Sequence, residues 1–311
     1  MDPLLPSRIA IVGTGTVGAS WAAYYLSRGF QVSAADPGEG AEFLLRRTIE
    51  QAWPALEQLG LTPGADPGRL SFSKDLAAAL VDAELVQESA PEREDLKIEL
   101  FSTLDALAPP EVILASSTSG LLMSRLQQRC VHPERCVTGH PFNPPHLMPL
   151  VEVVGGNLTS VTTIERAMDF YRGIGKFPIH VRTEVVGHIA NRLQAAAFRE
   201  AIHLVYSGAA SATDVDAAMS YGPGLRWALM GPLLTFHLAG GDGGITHFMD
   251  HLGEANNTWF SDLSPDLITD ASTAAVISGV EEEAGDRSIT ELSSRRDSFL
   301  VELLALLRRY P

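Results

Sequence analysis

Two side chains twelve residues apart offer the clearest route to chemistry in this sequence. His140 lies in Gly139-His140-Pro141-Phe142-Asn143-Pro144-Pro145-His146, a histidine set among three prolines. Proline removes backbone donors and fixes φ, so a loop of this composition is expected to be stiff, with well-placed side chains. Glu152 follows in Leu150-Val151-Glu152-Val153-Val154, a strand-like run with one acid between apolar neighbours. An acid there is costly unless paired, and His140 is the obvious partner. A carboxylate on one ring nitrogen fixes the tautomer and raises basicity at the other, which suits moving a proton on or off a hydroxyl. A third stretch, Ala115-Ser116-Ser117-Thr118-Ser119-Gly120, stands at the carboxyl end of another strand-like run. Ligands bind at that end of open α/β sheets. Taken singly, His140 could be a satisfied core histidine and Glu152 a strand-end surface acid.

The element that would hold a reaction partner is Arg8-Ile9-Ala10-Ile11-Val12-Gly13-Thr14-Gly15-Thr16-Val17-Gly18. An apolar β-type run leads into G-x-G-x-x-G, and a helix-like segment follows. Gly13 permits a tight turn, Gly15 lets backbone approach a pyrophosphate, and Gly18 lets helix and strand pack closely. The pyrophosphate would sit on free N–H groups at the helix start, at Thr16 and Val17. A second β run ends on Asp36, eighteen residues past Gly18. Its carboxylate would accept from the ribose hydroxyls and repel a 2′-phosphate, and Pro37-Gly38 supply no adjacent arginine. The expected cofactor is therefore NAD rather than NADP.

Strand-like runs at Phe30–Ala35, Leu70–Phe72, Glu84–Glu88 and Val112–Ala115 alternate with helical patterns at Ala41–Leu59 and Glu92–Leu107. Such alternation implies a parallel, doubly wound sheet. Pro54 is expected to kink or restart its helix. After about Arg182 the strand signals stop. Leu193, Ala197, Ala201 and Leu204 repeat at helical spacing, and Ser288-x-x-Glu291 is a capping-box pattern before a last amphipathic helix. The expectation is an α/β domain over residues 1–185 and an all-helical domain over 186–311.

Composition limits the partners. Of 311 residues, 23 are Lys or Arg and 38 Asp or Glu, a formal charge of −15 that argues against nucleic acid or an anionic membrane surface. Cys130 and Cys136 are too few for a disulfide framework, and no ligand cluster for a metal surrounds them. Met1–Ser7 has no basic or long apolar leader, and no apolar run reaches the roughly 18 residues of a membrane span. A cytoplasmic protein is expected.

The motifs Gly13–Gly18 with Asp36, Ser117-Thr118-Ser119, His140-Pro141-Phe142-Asn143-Pro144, Leu150–Val154 and Gly187-His188-Ile189-Ala190-Asn191-Arg192 occur in one order. Together they resemble the L-3-hydroxyacyl-CoA dehydrogenase family, over nearly the whole chain to about Gly253. The resemblance implies a Rossmann-type domain followed by a helical one, and oxidation of a β-hydroxyl with hydride passing to NAD. It makes His140 the general base and Glu152 its orienting carboxylate. Ser119 and Asn191 would bind the reacting oxygen or the substrate carbonyl, and Asn143 would support the histidine loop. Glu92 and Lys97 fall where the family contacts the nicotinamide half of the cofactor, and family members dimerise through the helical domain.

Two departures bear on the substrate. CoA-dependent members carry a lysine-rich hairpin after the second strand, whereas residues 38–90 here offer only Arg46, Arg47, Arg69 and Lys74, little for a polyanionic handle to pair with. Tyr221-Gly222-Pro223-Gly224-Leu225-Arg226-Trp227 resembles instead the non-CoA branch, with gulonate 3-dehydrogenase (lens λ-crystallin), carnitine 3-dehydrogenase and polyketide ketoreductases among its members. On that resemblance Arg226 would grip a substrate carboxylate, or form a structural ion pair, and Trp227 would wall the pocket or face a quaternary ammonium. The expected function is NAD-linked interconversion of a β-hydroxyl and a β-keto group on a small non-CoA acid. The alternatives are a polyketide-type ketoreductase, a CoA-ester dehydrogenase and a non-catalytic NAD-binding protein.

Overall fold

The computed structural model describes residues 7–265 and 268–310, so the N-terminal segment before Ser7 lies outside the described residues. The chain divides into two compact units, residues 1–192 and 193–311.

The first unit is built on eight strands: β1 (Arg8–Val12), β2 (Gln31–Ala35), β3 (Leu70–Ser73), β4 (Leu85–Glu88), β5 (Ile113–Ser116), β6 (Cys136–Pro141), β7 (Leu150–Gly155) and β8 (Phe177–Val181). They form one sheet in the order β3-β2-β1-β4-β5-β6-β7-β8. Its helices are α1 (Thr16–Ser27), α2 (Ala41–Leu59), α3 (Leu76–Leu80), α4 (Glu94–Leu107), α5 (Met123–Leu126) and α6 (Val161–Gly173). Both sheet faces are covered, as a parallel sheet requires. Ile9 and Ile11 of β1 join one core with Trp21, Tyr25, Phe170 and Tyr171. The alternating Ala10 and Val12 join the other, with Phe101, Leu104 and Leu126.

Three features depart from the sequence expectation. His140 is not in a loop: Cys136–Pro141 is a fully buried strand. The signal was there in Val137-Thr138, but Gly139 and Pro141 read as breakers. Gly139 is a glycine because a Cβ would lie 2.0 Å from the Tyr171 hydroxyl. The sheet is also not wholly parallel, since β6 and β7 pair antiparallel. The intervening residues 142–149 are too short for a parallel crossover. Finally, α2 runs through Pro54 without interruption.

A buried glutamine ties this core to the histidine strand. Gln87 Oε1 accepts from the Tyr25 (3.2 Å) and Tyr171 (2.7 Å) hydroxyls. Its amide nitrogen donates to Ser117 Oγ at 2.9 Å and the Gly139 carbonyl at 3.4 Å. Lys176, buried without an acid partner among the described residues, donates to the Pro145 and Met148 carbonyls. Its Nζ sits 3.6 Å over the Tyr24 ring and 5.2 Å over that of Trp21. Burial, then Arg28, holds its pKa well below the ordinary lysine value.

The second unit is helical: α7 (Ala190–Tyr206, whose first turn belongs to the first unit), α8 (Ala212–Tyr221), α9 (Pro223–Trp227), α10 (Pro232–Ala239), α11 (Gly244–Asp262), α12 (Asp270–Ala284) and α13 (Ile289–Leu307). The capping box of Ser288 and Glu291 is present at the start of α13. Among the described residues, its only buried apolar side chains are Ala212, Phe248 and Val301. No described helix is long and apolar enough to cross a membrane.

Candidate active site

The β6–β7 register sets His140 directly opposite Glu152. Residues opposed across an antiparallel pair point to the same face, and His140 Nδ1 meets Glu152 Oε2 at 2.8 Å, both side chains buried. Because a carboxylate only accepts, Nδ1 carries the proton and Nε2 is left with a free lone pair.

The second oxygen of Glu152 has an occupation that sequence reasoning missed. Oε1 accepts from the backbone N–H of Ile189 (2.8 Å) and Ala190 (3.0 Å), at the start of α7. A helix N-terminus stabilises an anion. Burial pushes the Glu152 carboxyl up, but the hydrogen bonds from His140, Ala190 and Ile189 outweigh it and hold the pKa below the ordinary value. The chain reaches this position through two successive left-handed residues, Gly187 (φ 77°) and His188 (φ 50°).

A second carboxylate organises the loop after β5. Glu92 Oε1 accepts from Thr118 Oγ1 (2.6 Å), Ser119 N (2.8 Å) and Gly120 N (3.2 Å). Behind it, Glu88 takes Lys97 Nζ at 2.5 Å, Ala90 N at 2.6 Å and Ser116 Oγ at 2.5 Å. Lys97 is 1% exposed and also lies 3.7 Å from Glu92. Its charge is thus neutralised inside the fold, and it bears on the site through the two acids. Asn191 Nδ2 donates to the Ser119 carbonyl at 3.3 Å, which brings these two residues together. The Ser119 and Asn143 side chains are exposed.

The glycine loop has the form that a dinucleotide needs. Gly13 adopts φ 88°, and a Cβ there would stand 2.7 Å from the Ala90 nitrogen. At Gly18 a Cβ would meet the Gly13 carbonyl at 1.9 Å. Gly15 differs, because nothing lies within 4 Å of where its Cβ would be. It is the N-cap of α1, without a side-chain cap or an acid in the first turn. The first N–H groups of α1, at Thr16 and Val17, thus have no side-chain cap, and a helix start of this kind suits a phosphate. Asp36 ends this crevice, its Oδ2 accepting from Thr14 N at 2.8 Å and Oδ1 from Gly38 N at 2.8 Å. These residues fit an NAD-type cofactor.

Arg226 and Trp227 belong to the second unit, in the last turn of α9. Both are exposed, and Arg226 has no ion-pair partner among the described residues. Thr118 and His188 lie inside the motifs of the resemblance but have no role of their own there, and Glu88 reads in the sequence only as part of a strand. Only the sheet order, which places β4 beside β5, brings Glu88 to Ser116.

Comparison with known proteins identifies relatives of the whole chain. The 3-hydroxyacyl-CoA dehydrogenase NAD binding domain matches residues 8–185, and the C-terminal domain of the same family matches 187–270. An L-carnitine dehydrogenase of Streptomyces coelicolor is 50% identical over 298 residues, covering 96% of this chain and 93% of that protein. One from Bacillus cereus is 48% identical over 304 residues, covering 97% and 93%. Among solved structures, the NAD+-dependent dismutase 5-formyl-3-hydroxy-2-methylpyridine 4-carboxylic acid 5-dehydrogenase superposes with a TM-score of 0.83 at 31% identity. The superposition covers 97% of this chain and 98% of that one.

Proposed function

Because the chain belongs to the 3-hydroxyacyl-CoA dehydrogenase family, NAD-dependent oxidoreductases acting on CH–OH groups, we propose that its substrate is a small free β-hydroxy acid of the carnitine type. The observation that carries the chemistry is the 2.8 Å contact of His140 Nδ1 with Glu152. With Nδ1–H held by the carboxylate, Nε2 takes the hydroxyl proton as the alcohol is oxidised and returns it in the reverse direction. Glu152 stays ionised and stabilises the imidazolium that results. Ser119 and Asn191 donate to the oxygen as it becomes a carbonyl, and Asn143 supports the segment after His140. When bound, NAD supplies the nicotinamide carbon that accepts the hydride. Gly13, Gly15, Thr16, Val17 and Gly18 hold its pyrophosphate, and Asp36 its ribose. Glu92, backed by Lys97, shapes the wall beside the nicotinamide half.

Four observations support a free acid. The near-full-length relatives are L-carnitine dehydrogenases, and the solved structure with a TM-score of 0.83 is of a carboxylic-acid dehydrogenase. The region where a CoA phosphate would need cations offers few, and Arg46 is already paired with Glu42 at 2.7 Å. The unpaired guanidinium of Arg226 suits the substrate carboxylate, and the Trp227 ring a quaternary ammonium.

We assign a homodimer formed through the helical unit. In its support, the amphipathic α7 has no buried residue, and Leu233, Trp259, Phe260 and Phe299 are exposed. The absence of a membrane-crossing helix among the described residues and the two free thiols accord with a cytoplasmic location.

The test is NAD reduction with L-carnitine, run beside NADH oxidation with dehydrocarnitine, acetoacetate, acetoacetyl-CoA and a bulky β-keto acid. Turnover of the carnitine pair with little of acetoacetyl-CoA is expected. Preference for the CoA ester or the bulky acid would replace this substrate assignment, and no turnover with any would leave a nucleotide-binding protein.

A further inference from the structure

His188 has no role in the machinery described so far, yet it packs on the His140 ring and reaches the Thr118 carbonyl. Its side chain is 2% exposed. Its ring centroid stands 5.1 Å from that of His140, the planes tilted by 49°. Nε2 lies 3.3 Å from the carbonyl oxygen of Thr118, the residue before Ser119. A carbonyl only accepts, so Nε2 carries the hydrogen. Nδ1 is then a bare acceptor, and it is buried without a hydrogen-bond partner among the described residues. An uncompensated acceptor and a left-handed non-glycine backbone both disfavour the fold. Features of that kind persist where surrounding structure and function hold them in place.

We propose that His188 is a positioning residue, whose neutral ring fixes the Thr118 carbonyl and packs on His140, so that the proton acceptor and the Ser119 loop keep one register. The inference rests on the proton-transfer role given above to His140. The tether runs from β6 through two rings to the loop after β5, and the backbone of the same residue turns Ile189 and Ala190 onto Glu152. One residue therefore orients both partners of the His140–Glu152 pair and the oxygen-binding loop.

The neutral state is part of the design. The charged and titratable groups facing His188 are His140 from β6, Glu152 from β7 and Glu92 ahead of α4. Burial, then His140, depresses its basicity, and the Thr118 carbonyl and the two acids only partly offset this. His140 can then become the sole imidazolium. A proton on His188 would place two cations ring to ring, with Glu152 already committed to His140.

The experiment compares His188→Gln, His188→Asn and His188→Phe in steady-state reduction of dehydrocarnitine, a direction in which His140 enters protonated. A glutamine amide nitrogen falls near the place of Nε2 and does not titrate. An asparagine suits the left-handed backbone better but is too short for Thr118. Gln is expected to keep kcat within about 3-fold at neutral pH and to lose the acid-side fall in rate of the parent. Asn and Phe should lose about 10- to 100-fold in kcat, the scale of a small misplacement, with KM for NADH unchanged. NADH-binding titrations confirm that each variant is folded. Asn equal to or better than Gln would show a backbone role only, an active Phe would show space filling only, and an unchanged acid limb in Gln would remove the charge argument. Each overturns the proposal. His140→Ala is measured in parallel. Full activity there would instead defeat the underlying proton-transfer reading, whatever residue 188 does.

Discussion

The two units solve opposite problems. In the first, polar groups are buried and nearly all are satisfied: Glu88, Gln87, Glu152 and Lys97 lie inside with named partners. In the second, apolar groups remain outside, and few of its described apolar side chains are buried. Buried polar networks have low tolerance for change, because each lost partner leaves another group unpaired. An open apolar helix surface tolerates substitution within the chain but asks for a cover. The difference teaches where to expect chemistry and where association.

If chemistry resides in the first unit, His140→Ala should cut kcat by about 10²- to 10⁴-fold, the usual contribution of a general base. NADH affinity, followed by fluorescence titration, should stay within about 2-fold. A small loss in kcat would break the comparison at its root. Arg226→Met probes the second unit. KM for a carboxylate substrate should rise by about 10- to 100-fold, as removal of a charge-assisted hydrogen bond of about 1.5–3 kcal/mol implies. An unchanged KM would leave that unit with association alone.

A smaller effect separates the two occupations of Glu152. Glu152→Gln should lower stability by about 1–2 kcal/mol in denaturant melts, through the weakened helix start. The sign with pH follows from the depressed carboxyl. Its stabilisation is complete above the ordinary carboxylate value and is lost as pH falls through the lower, folded value. The gap between parent and variant should therefore close in acid, and a gap independent of pH would contradict it. Smallest on activity per molecule, Leu233→Asp with Phe260→Asp should convert a dimer into monomers by light scattering. It should also remove any dependence of the melting temperature on protein concentration. A monomeric parent would refute the cover.

Much of the first unit was readable in the sequence because its signals are local. Strand, glycine turn, helix and Asp36 fall within one short segment, and each glycine has a steric reason visible in the motif. The pairing of His140 with Glu152 was inferable from the unfavourable burial of a lone acid. Its geometry was not, since the antiparallel register depends on a tight return that Gly139 and Pro141 disguised as a loop. Lys97, which the resemblance places at the nicotinamide half of the cofactor, is buried against Glu88, a partner nine residues away that no periodicity indicates. Glu152 holding the start of α7, and His188 holding Thr118, join segments distant in sequence. In such cases only the folded sheet brings donor and acceptor together.

The aromatic cluster beneath the histidine segment also supplies an optical probe. Trp21 stacks on Tyr25 at 5.1 Å between ring centroids, fully shielded from water. The amine of Lys176 lies against the Trp21 and Tyr24 rings while gripping the carbonyls of Pro145 and Met148. Any displacement of that grip alters the polar surroundings of the indole. With the other three tryptophans replaced by phenylalanine, emission from position 21 alone would track segment movement during turnover, in real time and without an added label.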